Sequence, residues 1–304
     1  MRAILVCAVL FVLTQGATTM TSPYVQSTYQ IPFSPLIPSM HGSSPLSDEF
    51  DATRPAAAVP GFVELADKWQ DFDPGELAVF AGIKPEVQAC LMTHDGTAKT
   101  WVGRVQPLEL PRVGQTLQHG IYLRALPGFI EGAFDAQVTN LLYGLILGTD
   151  MIEDPAVSLV LWCGGNISRT PSGGFGSPPV TSGLVQASVF PTFDGLQLVT
   201  GAVEGWPAMT LFRARLAQGQ PSADVYNVTL AFDAGANGVD WLPLFSQTLT
   251  GVDFNSVIKQ VGFGTNSFDE SDGFSAWFDL FRVQTQSQGD LVSTIGGMQQ
   301  LGAV

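Results

Sequence analysis

Positive charge is what this chain most conspicuously lacks. Only 13% of its 304 residues are charged, and 13 Lys and Arg face 27 Asp and Glu, for a formal charge of -14. No basic cluster offsets that balance locally, so the surface repels a phosphate backbone and the composition argues against nucleic-acid binding. Histidine is scarce as well. His41, His94 and His119 are scattered, and none has a second ligand at the helical spacing that a zinc site uses. No Gly-x-Ser-x-Gly elbow lies near any of them, which leaves a Ser-His-Asp hydrolase without support. Of three cysteines, Cys7 falls in an apolar N-terminal run, so Cys90 and Cys163 are left for the folded part. They are either two buried thiols or one disulfide, and the buried thiols are the plainer reading. A sustained helical period is absent, which excludes a helical bundle with its charged outer faces.

What is present suits a β-rich fold with a sizeable core. Apolar residues reach 45%, with 33 Gly, 20 Pro and 20 Phe. The stretch Trp206–Val283 consists of short alternating runs cut by turn residues. Met209–Ala217 and Tyr226–Phe232 alternate apolar and polar positions, with Gly-, Pro- and Asn-containing turns between and after them. Trp241–Phe245, Val257–Gly264 and Phe274–Val283 continue the pattern. Upstream, Glu76–Phe80, Thr100–Gln106, Ile121–Leu126, Leu184–Phe190 and Gly195–Val199 read as strands, while Asn140–Gly148 and Val157–Trp162 are apolar throughout and read as buried central strands. About twelve strands result, enough for two packed sheets in one domain. Residues 84–100 fit no element, and the Gly-, Ser- and Pro-rich stretch Gly164–Ser182 reads as an exposed loop.

The ends have their own character. Residues 1–20 carry Arg2, an apolar run from Ala3 to Leu13 and small residues at Gly16-Ala17. They read as a secretory signal or an apolar arm, too short for the ~20-residue span a membrane helix needs. Residues 21–45, with Pro32, Pro35 and Pro38, favour an extended linker or arm. The domain is expected over 46–283, and 284–304 as a flexible or partner-dependent tail.

The order of these elements resembles the concanavalin A-like lectin/glucanase sandwiches, of the kind found in bacteriophage tail and other virion structural proteins. The resemblance rests on Asp48-Glu-Phe-Asp51 followed by Trp69, the Arg-bearing strand Leu211–Leu216, the turn Asp233–Trp241, Val261–Gly264 and the closing Trp277–Val283. It implies an all-β fold, a two-sheet antiparallel jelly-roll sandwich with an N-terminal arm and C-terminal tail. It also implies a non-catalytic virion structural or adhesion protein that binds a host-surface glycan, neighbouring subunits or its own copies. A secreted carbohydrate-binding protein is the alternative, and a glycosidase on the same fold a more distant one. Location would be the virion or the extracellular space.

Candidate sites follow. Trp206, between Gly205 and Pro207, offers an exposed indole for sugar stacking, whereas Trp241 and Trp277 sit in strand patterns and are expected in the core. Asn166 and Arg169, within the expected loop, could line the ligand surface. Asp48, Asp51 and Asp279 could meet from the first and last strands around a structural calcium ion, because calcium takes hard oxygen ligands. A retaining glycosidase needs two carboxyl groups ~5 Å apart on one strand face. No Glu-x-Asp-x-x-Glu run supplies them.

Overall fold

The computed structural model describes residues 44–50, 53–72, 80–94, 101–128, 138–153, 158–170, 180–191, 198–204, 209–267 and 274–288. Among these residues, fourteen strands form two antiparallel sheets of seven. They are β1 (Gln70–Phe72), β2 (Phe80–Lys84), β3 (Ala89–His94), β4 (Val102–Pro107), β5 (Thr116–Gly128), β6 (Val138–Gly148), β7 (Leu159–Thr170), β8 (Val180–Pro191), β9 (Leu198–Glu204), β10 (Leu211–Ser222), β11 (Val225–Gly235), β12 (Trp241–Val252), β13 (Gln260–Ser267) and β14 (Phe274–Gln288). The first sheet runs β1-β4-β13-β6-β7-β8-β9 and the second β12-β11-β10-β5-β14-β3-β2. Among the described residues the only helical turn is the 3-10 turn Phe254–Ser256, whose first donor is capped by Asp253. The two-sheet sandwich expected from the sequence is therefore the fold.

Alternation decides which side chains meet between the sheets. Tyr143, Leu145 and Leu147 of β6, Cys163 and Ile167 of β7 and Phe263 of β13 face Phe212, Ala214 and Leu216 of β10 and Leu230 and Phe232 of β11. Aromatic rings lock one end of this core. Phe263 lies 4.7 Å from Phe278 and 4.9 Å from Trp69, and Trp69 lies 4.9 Å from Phe281. Such contacts contribute about 0.5–1.5 kcal/mol each beyond the area they bury.

Several expectations are corrected here. Gly164–Ser182 is not one loop: β7 runs to Thr170 and β8 starts at Val180, leaving 171–179 outside the described residues. Gly164 and Gly165 serve close packing, as shown below, and do not mark a turn. Residues 84–100 contain most of the β2–β3 hairpin, which turns at Gln88 with φ 50°. The last strand continues to Gln288, past the boundary placed at Val283. Trp241 and Trp277 are half-buried on the outer face of the second sheet and do not join the core. Cys90 and Cys163 are free, buried and on different sheets. Burial pushes the Cys90 thiol up to about 12 and raises that of Cys163 too. Residues 1–43, 268–273 and 289–304, which include the expected arm and tail, lie outside the described residues.

Candidate functional site

The outer face of the first sheet, turned away from the sandwich core, is built on a row of glycines. Gly103 of β4 stands opposite Gly264 of β13, Gly264 opposite Gly144 of β6, and Gly144 opposite Gly164 of β7. A Cβ at any of them would strike the neighbouring backbone. It would lie 2.6 Å from the Phe263 carbonyl oxygen at Gly103, 2.5 Å from that of Val102 at Gly264, 2.4 Å from that of Cys163 at Gly144, and 1.9 Å from that of Tyr143 at Gly164. Four strands thus lose their side chains at the same level, which leaves a gap across the sheet that neighbouring side chains fill. Larger side chains from adjacent rows lean into it. The Ile146 side chain lies over Gly103 and Gly264, and the Trp162 indole folds over Gly164. Trp101 packs against Trp162 with ring centroids 5.6 Å apart. Together with Phe72, Val105, Leu142, Met151 and Val160 these residues form a second apolar cluster, separate from the sandwich core.

Beside the indoles the same face turns polar without becoming charged. Asn166 donates from Nδ2 to Gln186 Oε1 at 3.1 Å, and Gln186 donates from Nε2 to Ser188 Oγ at 2.8 Å. Asn266 and Asn166 both register with Leu142, from opposite sides of β6. Asn266 Oδ1 is buried and has no partner among the described residues. Strand alternation explains the set, since Trp162, Gly164 and Asn166 follow at two-residue intervals along β7. Two-residue spacing was the available sequence signal for Gln186, Ser188 and Asn266, which the sequence reading did not single out. Reading Gly164–Ser182 as an exposed loop hid it.

The candidates named from sequence fare differently. Asn166 is on this face, half-buried. Arg169 lies further along β7, where its backbone pairs with Val138 and Thr181. Trp206 lies outside the described residues. The segment before β1 meets the last strand at an isolated bridge between Asp48 and Phe281, while β1 itself pairs in the other sheet, and the Asp48 and Asp279 carboxylates are already engaged by the chain itself. Asp48 Oδ1 accepts from the Phe50 amide at 2.8 Å and Arg54 Nη2 at 3.0 Å, while Oδ2 accepts from Trp69 Nε1 at 2.8 Å. Lys68 Nζ stands 3.8 Å from the same oxygen. Asp279 faces Arg124 at 3.5 Å. Asp51 lies outside the described residues, and among those described no three His, Cys, Asp or Glu side chains group as a metal site. Asp48 and Asp279 each have a protein cation beside them.

Phe50 and Leu280, with φ of 52° and 53°, flank this Asp48 bridge in the left-handed region. Strain of about 1–3 kcal/mol at each persists where surrounding bonds over-determine the backbone, and the Asp48 network supplies those bonds. Asp279 follows a different balance. Burial outweighs the attraction of Arg124 and raises its carboxyl from 3.8 to about 6. On the core side of β5, burial lowers His119 from 6.5 to about 4.

No family model matches the chain, and no curated protein sequence matches it. Solved structures similar to it include the endo-1,3-beta-glucanase from Streptomyces sioyaensis, 11% identical over 84% of this chain and 99% of that one, with a TM-score of 0.40. Lectin I-B4 from Griffonia simplicifolia is 9% identical over 73% of this chain and 95% of that one, with a TM-score of 0.35. The CBM2 module of the evolved Dit of Lactobacillus casei BL23 phage J-1 is 10% identical over 73% and 93%, with a TM-score of 0.33. None of these likenesses assigns a role to a residue of this chain. No described helix is long and apolar enough to cross a membrane.

Proposed function

We propose that this chain is a non-catalytic glycan-binding sandwich that uses the outer face of its first sheet for attachment. The observation that carries the reading is the uncharged polar chain Asn166–Gln186–Ser188 on the outer face of the first sheet, whose half-buried member Asn166 shares that face with the buried Trp101–Trp162 pair. Side-chain amides and hydroxyls offer both donors and acceptors, as a neutral polyol requires. Among the described side chains, the central rows of this face carry glycine, leucine, tryptophan and amides, so a carboxylate pair of the kind glycosidases use is not offered there. The wider role is adhesion of a virion or another extracellular surface. The extensions flanking the sandwich in the sequence support that setting, since such segments can engage a neighbouring subunit.

The test is a glycan array probed with the full chain and with Asn166→Ala. Asn166 is half-buried, so the variant should fold. We expect binding to neutral glycans that weakens at least fivefold in the variant, with no reducing-sugar release by either protein. An array without hits, or sugar release that persists through purification, would overturn the proposal.

A further inference from the structure

The outer face of the second sheet, on the opposite side of the molecule, carries an arrangement that the first-sheet reading does not use. Arg213 and Arg215 lie two residues apart on β10, so both point outward, and both converge on Asp233 of β11. Arg213 Nε and Arg215 Nε each donate to Asp233 Oδ2 at 2.9 Å, and Arg215 Nη2 donates to Oδ1 at 3.0 Å. Two guanidinium groups therefore share one carboxylate, which leaves a surplus positive charge on a chain with a formal charge of -14. Arg213 is held in place by Trp241, whose ring centre lies 4.2 Å from its guanidinium carbon. Its two terminal nitrogens keep their donors free of that carboxylate.

Next to this pair lies a residue without a side chain, Gly120, over which the Tyr122 ring folds. Arg215 registers with Gly120 of β5 on one side and Ala231 of β11 on the other, and Gln118 registers with Ala217. Gln118 shares the outer face with Gly120 and is 2% exposed, yet neither its Nε2 nor its Oε1 has a partner among the described residues. A buried amide left unpaired at both atoms is costly, and such groups call for an explanation in a ligand or a bound molecule. Two residues along β5 separate Gln118 from the level of Arg215, about 7 Å.

We propose that Arg213, Arg215 and Gln118 form a binding site for an organic carboxylate borne on a hydroxylated body, the chemistry of an acidic sugar. The carboxylate takes the unengaged guanidinium donors, which bind such a group in a planar, two-bond geometry. A hydroxyl of the same ligand both accepts from Gln118 Nε2 and donates to its Oε1. The negative charge of the rest of the protein is screened beyond about 8–10 Å at physiological salt, so the local surplus governs a docked anion. This site is independent of the neutral-glycan face, and either can fail while the other stands.

The experiment is calorimetric titration of the full chain with sodium glucuronate, glucose and sodium sulfate, repeated on Arg215→Gln and Gln118→Leu. Arg215→Gln leaves the Arg213–Asp233 pair in place. Gln118→Leu replaces the unpaired amide with an apolar group of similar shape. We expect saturable glucuronate binding, at least tenfold tighter than glucose or sulfate. It should weaken at least tenfold in Arg215→Gln and at least threefold in Gln118→Leu, while the melting temperature of Gln118→Leu holds or rises. A merely structural Gln118 would instead lose stability and leave affinity alone. Absence of glucuronate binding, sulfate binding of equal strength, or full affinity in a folded Arg215→Gln would each overturn the assignment.

Discussion

His119 and Asp279 make opposite demands on acid stability, and their opposition can be separated by mutation. His119 is 1% exposed on the core side of β5, with Nδ1 3.1 Å from the Thr285 hydroxyl, and burial lowers it from 6.5 to about 4. The unfolded chain therefore takes this proton first. Stability from the neutral imidazole is complete above pH 6.5 and is lost as pH falls toward 4. Asp279 has the reverse sign, because burial raises it from 3.8 to about 6 in the folded chain. The native state keeps that proton where the unfolded chain has lost it, so stability is gained as pH falls from 6 toward 3.8. At 1.36 kcal/mol per pH unit each group is worth about 2–3 kcal/mol between pH 7 and 4, and the two nearly cancel. Asp279→Asn leaves His119 unopposed, so its stability relative to the parent should fall by about 2–3 kcal/mol on going from pH 7 to pH 4. His119→Gln should rise relative to the parent by a similar amount over the same interval. Carboxylates common to all three proteins drop out of these differences. Urea unfolding at the two pH values reads them directly through the midpoint and slope. If either variant differs from the parent by a constant amount at pH 7 and pH 4, the burial argument for that residue is wrong.

Two further substitutions address the scaffold. Gly164→Ala places a methyl 1.9 Å from the Tyr143 carbonyl oxygen and should cost about 3 kcal/mol or more, lowering the melting temperature by about 6–12 °C. Gly114→Ala, at φ 80° in open space, is the comparison that carries backbone strain alone, and equal losses at the two sites would refute the close-packing role of the glycine row. Asp48→Asn breaks a buried ion pair with Arg54 and should cost about 3–5 kcal/mol by chemical denaturation. Millimolar calcium or a chelator should leave the parent's melting temperature unchanged, and a rise with calcium would return Asp48 and Asp279 to the role of ligands.

Alternation was legible in the sequence wherever apolar residues carried it. Asn140–Gly148 and the strands after Trp206 were found because side-chain polarity follows the pleat directly. The pattern failed where glycine replaced a side chain for reasons of distance. In Trp162-Cys-Gly-Gly-Asn166 two adjacent glycines look like a turn, yet one avoids the Tyr143 backbone on the outer face and the other avoids the Tyr143 ring on the core face. A single sequence does not distinguish a glycine that bends the chain from one that lets another strand approach, because the partner strand lies far away in the sequence. The Asp48 network was obscured for the same reason. Its cations, Arg54 and Lys68, are near in sequence, but their convergence depends on the strand Phe281 belongs to.

The two outer faces also differ in a way that bears on ligand choice. On the first sheet, polar groups satisfy one another in a chain from Asn166 to Ser188 and carry no net charge. A ligand there must compete with existing hydrogen bonds, which favours weak, multipoint contact with a neutral chain over tight capture of a single group. On the second sheet the donors outnumber the acceptors, since Asp233 cannot satisfy both Arg213 and Arg215. The Gln118 amide, buried and unpaired among the described residues, is a cost already borne by the folded protein, so a ligand that relieves it gains affinity without breaking a protein hydrogen bond at Gln118. A glycan carrying both neutral and acidic sugars would thus meet two chemically distinct surfaces, and the acidic residue should set specificity while the neutral ones add area. Separate loss of acidic and neutral glycan binding in Arg215→Gln and Asn166→Ala is the outcome this division requires. If either substitution removed both together while the protein stayed folded, one shared surface would have to replace the two.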